Sequence, residues 1–128
     1  LGIANVRFLN GDWTTPVSKL QEKNACHAIL GNPPYIDEND PHLQQGDVRF
    51  EPELALTSAE NGLADIRVII HDCVSLLETG GWLMLEHGYQ QGEQVRQIFT
   101  TKDYGEVETL KDLSGNDRVT IGRIKNKE

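Results

Sequence analysis

The chain has 128 residues, so a single compact domain is the natural expectation. Hydrophobic residues make up 38% and charged residues 25%, and no apolar run approaches the ~18 residues that a membrane span needs. With 20 Asp+Glu against 12 Lys+Arg the formal charge is -8, the wrong sign for tight binding to a phosphate backbone.

Residues 3–9 carry Ile3, Val6, Phe8 and Leu9 and end at Asn10-Gly11-Asp12, which reads as a short strand entering a turn. Residues 17–23 read as a helical turn or a loop. The continuous apolar run at residues 25–30 has the pattern of a strand buried on both faces, stopped by Gly31 and a double proline. Residues 37–53 show no periodicity and hold Pro41, Gly46 and Pro52, a long loop of the kind that is functional or disordered. Leu63, Ile66, Ile69, Ile70, Val74 and Leu77 then recur at helical spacing, with Gly80-Gly81 as the expected stop. Trp82-Leu83-Met84-Leu85 reads as another buried strand and residues 92–101 as a helix with Val95, Ile98 and Phe99 on one face. Residues 107–110 and 119–124 flank a polar turn and form a hairpin. Alternation of this kind predicts an α/β fold, mostly parallel, with an antiparallel C-terminal pair.

Cys26 and Cys73 each lie in an apolar run, which suits free thiols in a reducing compartment. No signal peptide is recognisable, and the expected location is cytoplasmic. The four histidines share no ligand spacing, so no metal site is expected.

Asn32-Pro33-Pro34-Tyr35 lies just past the carboxyl end of a strand, where open α/β sheets place their ligands. Neither proline has an N–H, so the stretch offers carbonyl acceptors on a stiff backbone. Asn32 adds a side-chain acceptor and Tyr35 an aromatic face. Fixed acceptors beside a ring suit a planar NH₂ group, whose lone pair is delocalised. Accepting both N–H bonds returns electron density to nitrogen and aims it at an electrophile. The electrophile implied is a methyl sulfonium, which makes S-adenosyl-L-methionine the expected donor. Asp12-Trp13 ends the first strand, where a carboxylate and an indole suit an adenine; a turn aspartate and a core tryptophan are the plainer reading. Glu86-His87-Gly88 follows the next strand and reads as structural or solvent-facing. A nucleic-acid amino-methyltransferase and a non-catalytic groove remain open on these residues.

Several blocks together resemble the HemK/PrmC-type peptide-chain release factor glutamine methyltransferases. They are Asn32-Pro33-Pro34-Tyr35-Ile36, Pro41-His42-Leu43, Gly46-Asp47-Val48-Arg49-Phe50-Glu51-Pro52, Leu85-Glu86-His87-Gly88 with Gln91-Gly92, and Asp112 through Gly115-Asn116 to Arg118-Val119. The resemblance implies a Rossmann-like fold that methylates the glutamine amide of the Gly-Gly-Gln motif in class-I release factors. It assigns Asn32 and Pro33 to the amide, Pro34 and Tyr35 to its surroundings, and Asp12, Trp13 and Asn32 to the cofactor. The family's glycine-rich cofactor loop and N-terminal helical domain have no counterpart here, so residues 1–128 correspond to part of a catalytic domain. Two expectations follow: residues 1–23 are poorly anchored, swapped or repacked, and the chain binds its cofactor weakly.

Overall fold

The computed structural model describes residues 5–11, 14, 26–34, 36–37, 57–58 and 62–126. Strands are β1 (Cys26–Gly31), β2 (Ile36–Asp37), β3 (Thr57–Ser58), β4 (Leu77–Glu86), β5 (Tyr104–Lys111) and β6 (Asp117–Ile124). Helices are α1 (Ala64–Leu76) and α2 (Gly92–Thr100). The main sheet has four strands in the order β1-β4-β6-β5; β2 and β3 form a separate parallel pair. Within the main sheet β1 and β4 run parallel, while β4–β6 and β5–β6 are antiparallel. The α/β architecture and the antiparallel C-terminal hairpin are as expected. Among the described residues this sheet is mixed, because the hairpin strand β6 returns to sit directly beside β4.

One face of the sheet carries the core. Ile66, Ile69, Ile70 and Cys73 of α1 and Val95, Ile98 and Phe99 of α2 pack on Leu83 and Leu85 of β4 and Ile124 of β6. The helical periodicity of α1 thus translates directly into one buried stripe. Tyr104 closes the far side, its ring edge-on to Phe99 at 5.0 Å and its hydroxyl donating to the Ile70 carbonyl at 2.8 Å. Burial pushes the Tyr104 hydroxyl well above the ordinary phenol range, so it stays a donor. Gly122 of β6 faces the Phe99 ring so closely that a Cβ there would overlap it.

Gly80-Gly81 does not stop the helix. Helix α1 ends at Leu76, the Leu77 N–H bonds back to the Cys73 carbonyl, and β4 begins at once. The glycines serve an irregularity in β4 instead: Cys26 pairs with Leu77 but Ala28 with Trp82. Gly80 has φ +83°, and a Cβ on Gly81 would lie 3.0 Å from the Cys26 and Glu78 carbonyl oxygens. A turn that tight against β1 needs residues without side chains.

β1 also departs from expectation. Its apolar run predicts burial on both faces, yet His27, Ala28 and Leu30 are exposed, Leu30 at 73%. Among the described residues β4 is its one sheet neighbour, so it is an edge strand. On the sheet face opposite the helices, Arg123 stacks over Trp82 at 5.4 Å and donates to the Gly80 carbonyl at 2.9 Å. The expected first strand is not formed over residues 5–9, which are exposed, Phe8 at 94%. The long loop of residues 38–53 and the segment 17–23 lie outside the described residues.

Candidate site at the carboxyl edge of the parallel strands

Because β1 and β4 are parallel, their carboxyl ends emerge at one edge. Gly31 pairs with Leu85, so Asn32 leaves the sheet beside Glu86, the last residue of β4, with strands ~4.8 Å apart. The pairing is tight: a Cβ on Gly31 would meet Leu85 Cδ2 at 2.8 Å and Pro33 Cδ at 3.9 Å. Pro33 and Pro34 are buried and Asn32 is exposed. The prolines therefore act as a packed footing, and the Asn32 amide is left available at the edge. Tyr35, Asp12 and Trp13 lie outside the described residues.

The Glu86-His87-Gly88 block follows β4 at the same edge. His87 is fully buried, which settles its reading as structural rather than solvent-facing. Its Nδ1 lies 2.9 Å from the Gly88 carbonyl and its Nε2 2.7 Å from Thr120 Oγ1. The following turn is closed by Gln91 N–H donating to the Gly88 carbonyl at 3.0 Å and Gly88 N–H donating to Gln91 Oε1 at 2.8 Å. Burial lowers the His87 pKa from its ordinary value, and Arg118 and Arg96 act in the same direction, against the Gly88 carbonyl and Asp117.

β6 ties this edge down from the other side. His87 N–H donates to the Arg118 carbonyl at 2.9 Å, and Arg118 Nη1 donates to the His87 carbonyl at 3.3 Å. Arg118 Nε also donates to Asp112 Oδ2 at 3.3 Å. Asp112 Oδ1 meanwhile accepts from the Ser114 and Asn116 N–H groups, which builds the hairpin turn around Gly115. The Asn116 N–H does most to hold the Asp112 carboxyl below the usual range. Thus the Asp112–Arg118 block clamps the β6 start onto the residue after β4.

Sequence reasoning missed Thr109, Thr120 and Arg96, which continue the His87 contacts into the hairpin and α2. One signal was available. Thr120 alternates with Gly122 and Ile124 on the inward face of β6, and a polar residue there needs a buried partner. A cavity of about 330 Å³ is lined by Arg67, Val68, His71, Asp72, Ile98, Thr101 and Lys102, all from α1, α2 and the turn after it. None of the residues at the β1 and β4 ends lines it. Among the described residues no group of three or more His, Cys, Asp and Glu side chains is placed to hold a metal, and no helix is long and apolar enough to cross a membrane.

Proteins similar to this chain are methyltransferases. The Escherichia coli K12 release factor glutamine methyltransferase is 52% identical over 123 residues, covering 96% of this chain and 43% of that protein. The Vibrio cholerae protein of the same name is 50% identical over 125 residues, covering 98% of this chain and 43% of that protein. A crystal structure of protein-(glutamine-N5) methyltransferase (release factor-specific) from Alicyclobacillus acidocaldarius is 26% identical, with a TM-score of 0.49, covering 78% of this chain and 49% of that one. No family model matches the chain. The chain is thus a homologue of one part of the release factor glutamine methyltransferases, and it spans about 43% of the length of the curated relatives it matches.

Proposed function

We propose that the chain is part of an enzyme that uses S-adenosyl-L-methionine to methylate the side-chain amide nitrogen of glutamine in the Gly-Gly-Gln motif of class-I peptide chain release factors. The observation that carries the reading is half-identity, over nearly the whole chain, to proteins named for that activity. The edge geometry supports it. An exposed asparagine amide on a buried proline footing is an acceptor set for a planar NH₂ group.

In this reading Asn32 and the Pro33 carbonyl accept the two N–H bonds of the substrate amide. That fixes the amide plane and directs the nitrogen lone pair out of it. Pro34 holds the loop stiff, and Tyr35 lies against the amide. Asp12 and Trp13 hold the adenine of the donor, with Asn32 close to both ligands. Uncharged acceptors fit both an amide and a sulfonium, since neither needs a counter-anion in contact. The bound donor would supply an electrophilic methyl group and leave as the neutral thioether, while the nitrogen releases one of its two protons to water; orientation of the nucleophile is what the chain's own residues contribute.

The test is transfer of radiolabelled methyl from saturating S-adenosyl-L-methionine to a class-I release factor and to its Gln→Ala variant, with the Escherichia coli relative as benchmark. Label is expected on the unmodified factor and not on the variant. Asn32→Ala is expected to lower the rate on the order of 100-fold through lost orientation, with the fold unchanged because Asn32 is exposed. A rate within a few-fold of the parent removes the amide clamp. Label on DNA or RNA instead points to the amino-methyltransferases of nucleic acids.

A further inference from the structure

Five groups line up on the helix-facing side of the sheet. Arg96 Nη1, Thr109 Oγ1, Thr120 Oγ1, the His87 ring and the Gly88 carbonyl are joined by contacts of 2.8, 2.8, 2.7 and 2.9 Å. They come from α2, β5, β6 and the residues after β4. Counting hydrogens gives this chain a direction. A guanidinium only donates, so Thr109 accepts at one end. A carbonyl only accepts, so His87 Nδ1 carries a proton at the other. With the ring neutral, Nε2 accepts from the Thr120 hydroxyl, and Thr120 in turn accepts from Thr109. Each hydrogen is used once, and among the described residues no buried side-chain nitrogen or oxygen lacks a partner.

Protonating Nε2 turns both ends into donors. The Thr120 hydrogen then turns back toward Thr109, which accepts from both Thr120 and Arg96 and turns its own hydrogen to water. The charged groups facing the ring are Arg96 of α2 and Asp117 and Arg118 of β6, while β5 presents Thr109. Burial and the two arginines favour the neutral ring, in which Nε2 is the acceptor.

The Gly88 carbonyl is the junction, since it accepts from both His87 Nδ1 and the Gln91 N–H. We propose that His87 is a positioning residue: held as the Nδ1–H tautomer by the Gly88 carbonyl and Thr120, it fixes the turn at residues 88–91 that follows β4, the strand whose carboxyl end lies beside that of β1, and so shapes the edge that carries Asn32. The proposal rests on the reading of Asn32 as the amide clamp.

Nitrogen-15 NMR of the imidazole in the 128-residue chain tests it. At neutral pH the proton is expected on Nδ1, with Nε2 as the acceptor. On acidification the Gly88 and Gln91 amides and the Asn32 side-chain amide are expected to shift with the same midpoint as the ring. Thr120→Val is expected to move that midpoint for all of them together. Should that variant not fold, Thr109→Val, at a half-buried position, gives the same reading. A proton on Nε2 at neutral pH overturns the proposal, as does an Asn32 resonance that stays still while the ring titrates. A wild-type chain with no methyl transfer leaves these spectra unchanged and counts against the functional reading alone.

Discussion

Replacing Thr120 by valine keeps the side chain's shape and removes one hydroxyl from a position with no solvent exposure. Two contacts go with it, to His87 Nε2 at 2.7 Å and to Thr109 Oγ1 at 2.8 Å. The two partners suffer unequally. Thr109 is half-buried and can turn its hydroxyl to water, whereas Nε2 sits on a fully buried ring and is left without a donor. One unsatisfied buried acceptor costs about 1–3 kcal/mol. Thr120→Ser instead keeps both contacts and loses one methyl, about 0.8 kcal/mol. Valine is therefore expected to be the more damaging change by about 1 kcal/mol, even though its strand propensity is at least as good as that of threonine. For a domain of this size that separates the two melting temperatures by roughly 3–6 °C. Urea unfolding of both variants, followed by far-UV circular dichroism at slightly alkaline pH, measures the order. If the valine variant matches or exceeds the serine variant, packing rather than the hydrogen-bond chain holds this region, and the argument for His87 loses its footing.

Gly122→Ala is expected to cost about 1–3 kcal/mol by overpacking, because the new methyl group overlaps the Phe99 ring and Phe99 is itself held by Tyr104; a denaturant midpoint equal to the parent's would contradict it. Cys73 is buried, and that burial pushes its thiol up to about 12. Iodoacetamide at mildly alkaline pH should therefore alkylate half-buried Cys26 in the folded chain and reach Cys73 only in denaturant, as peptide mass mapping would show. The His87 pKa in the fold lies below its ordinary value of 6.5, so the unfolded chain takes up the proton first as pH falls. The stability tied to a neutral His87 is full above about pH 6.5 and is lost on acidification through the lower folded value. The parent should thus lose more stability than His87→Gln on going from neutral to acid pH, and equal slopes would show that the ring does not carry the effect.

The periodicities at residues 63–77 and 92–101 were sufficient to place α1 and α2, and the hairpin was legible from its two apolar runs and the Asp112–Asp117 turn. Those features are local, since an amphipathic stripe declares its own period. The reading failed where a residue's role depends on a neighbour far along the chain. Gly80-Gly81 looks like a helix stop in one dimension and is a strand irregularity in three, because the constraint comes from the Cys26 carbonyl. The run at residues 25–30 looks like a central strand, and its exposure follows from how many strands lie beside it, which apolarity cannot count.

The same division runs through the candidate site. Residue order alone was enough to mark Asn32-Pro33-Pro34 as an acceptor-rich, donor-poor stretch at the end of a strand, because proline's missing N–H is a covalent fact. Burial of both prolines beneath an exposed Asn32 depended on β1 docking parallel to β4. The tautomer of His87 depended on more still. Its Nε2 meets Thr120, 33 residues away in the chain, and Thr120 meets Thr109, which accepts from Arg96, contacts that exist only once α2, β5 and β6 have come together. A hydrogen bond's direction is set by what stands opposite, and that is a property of the folded chain.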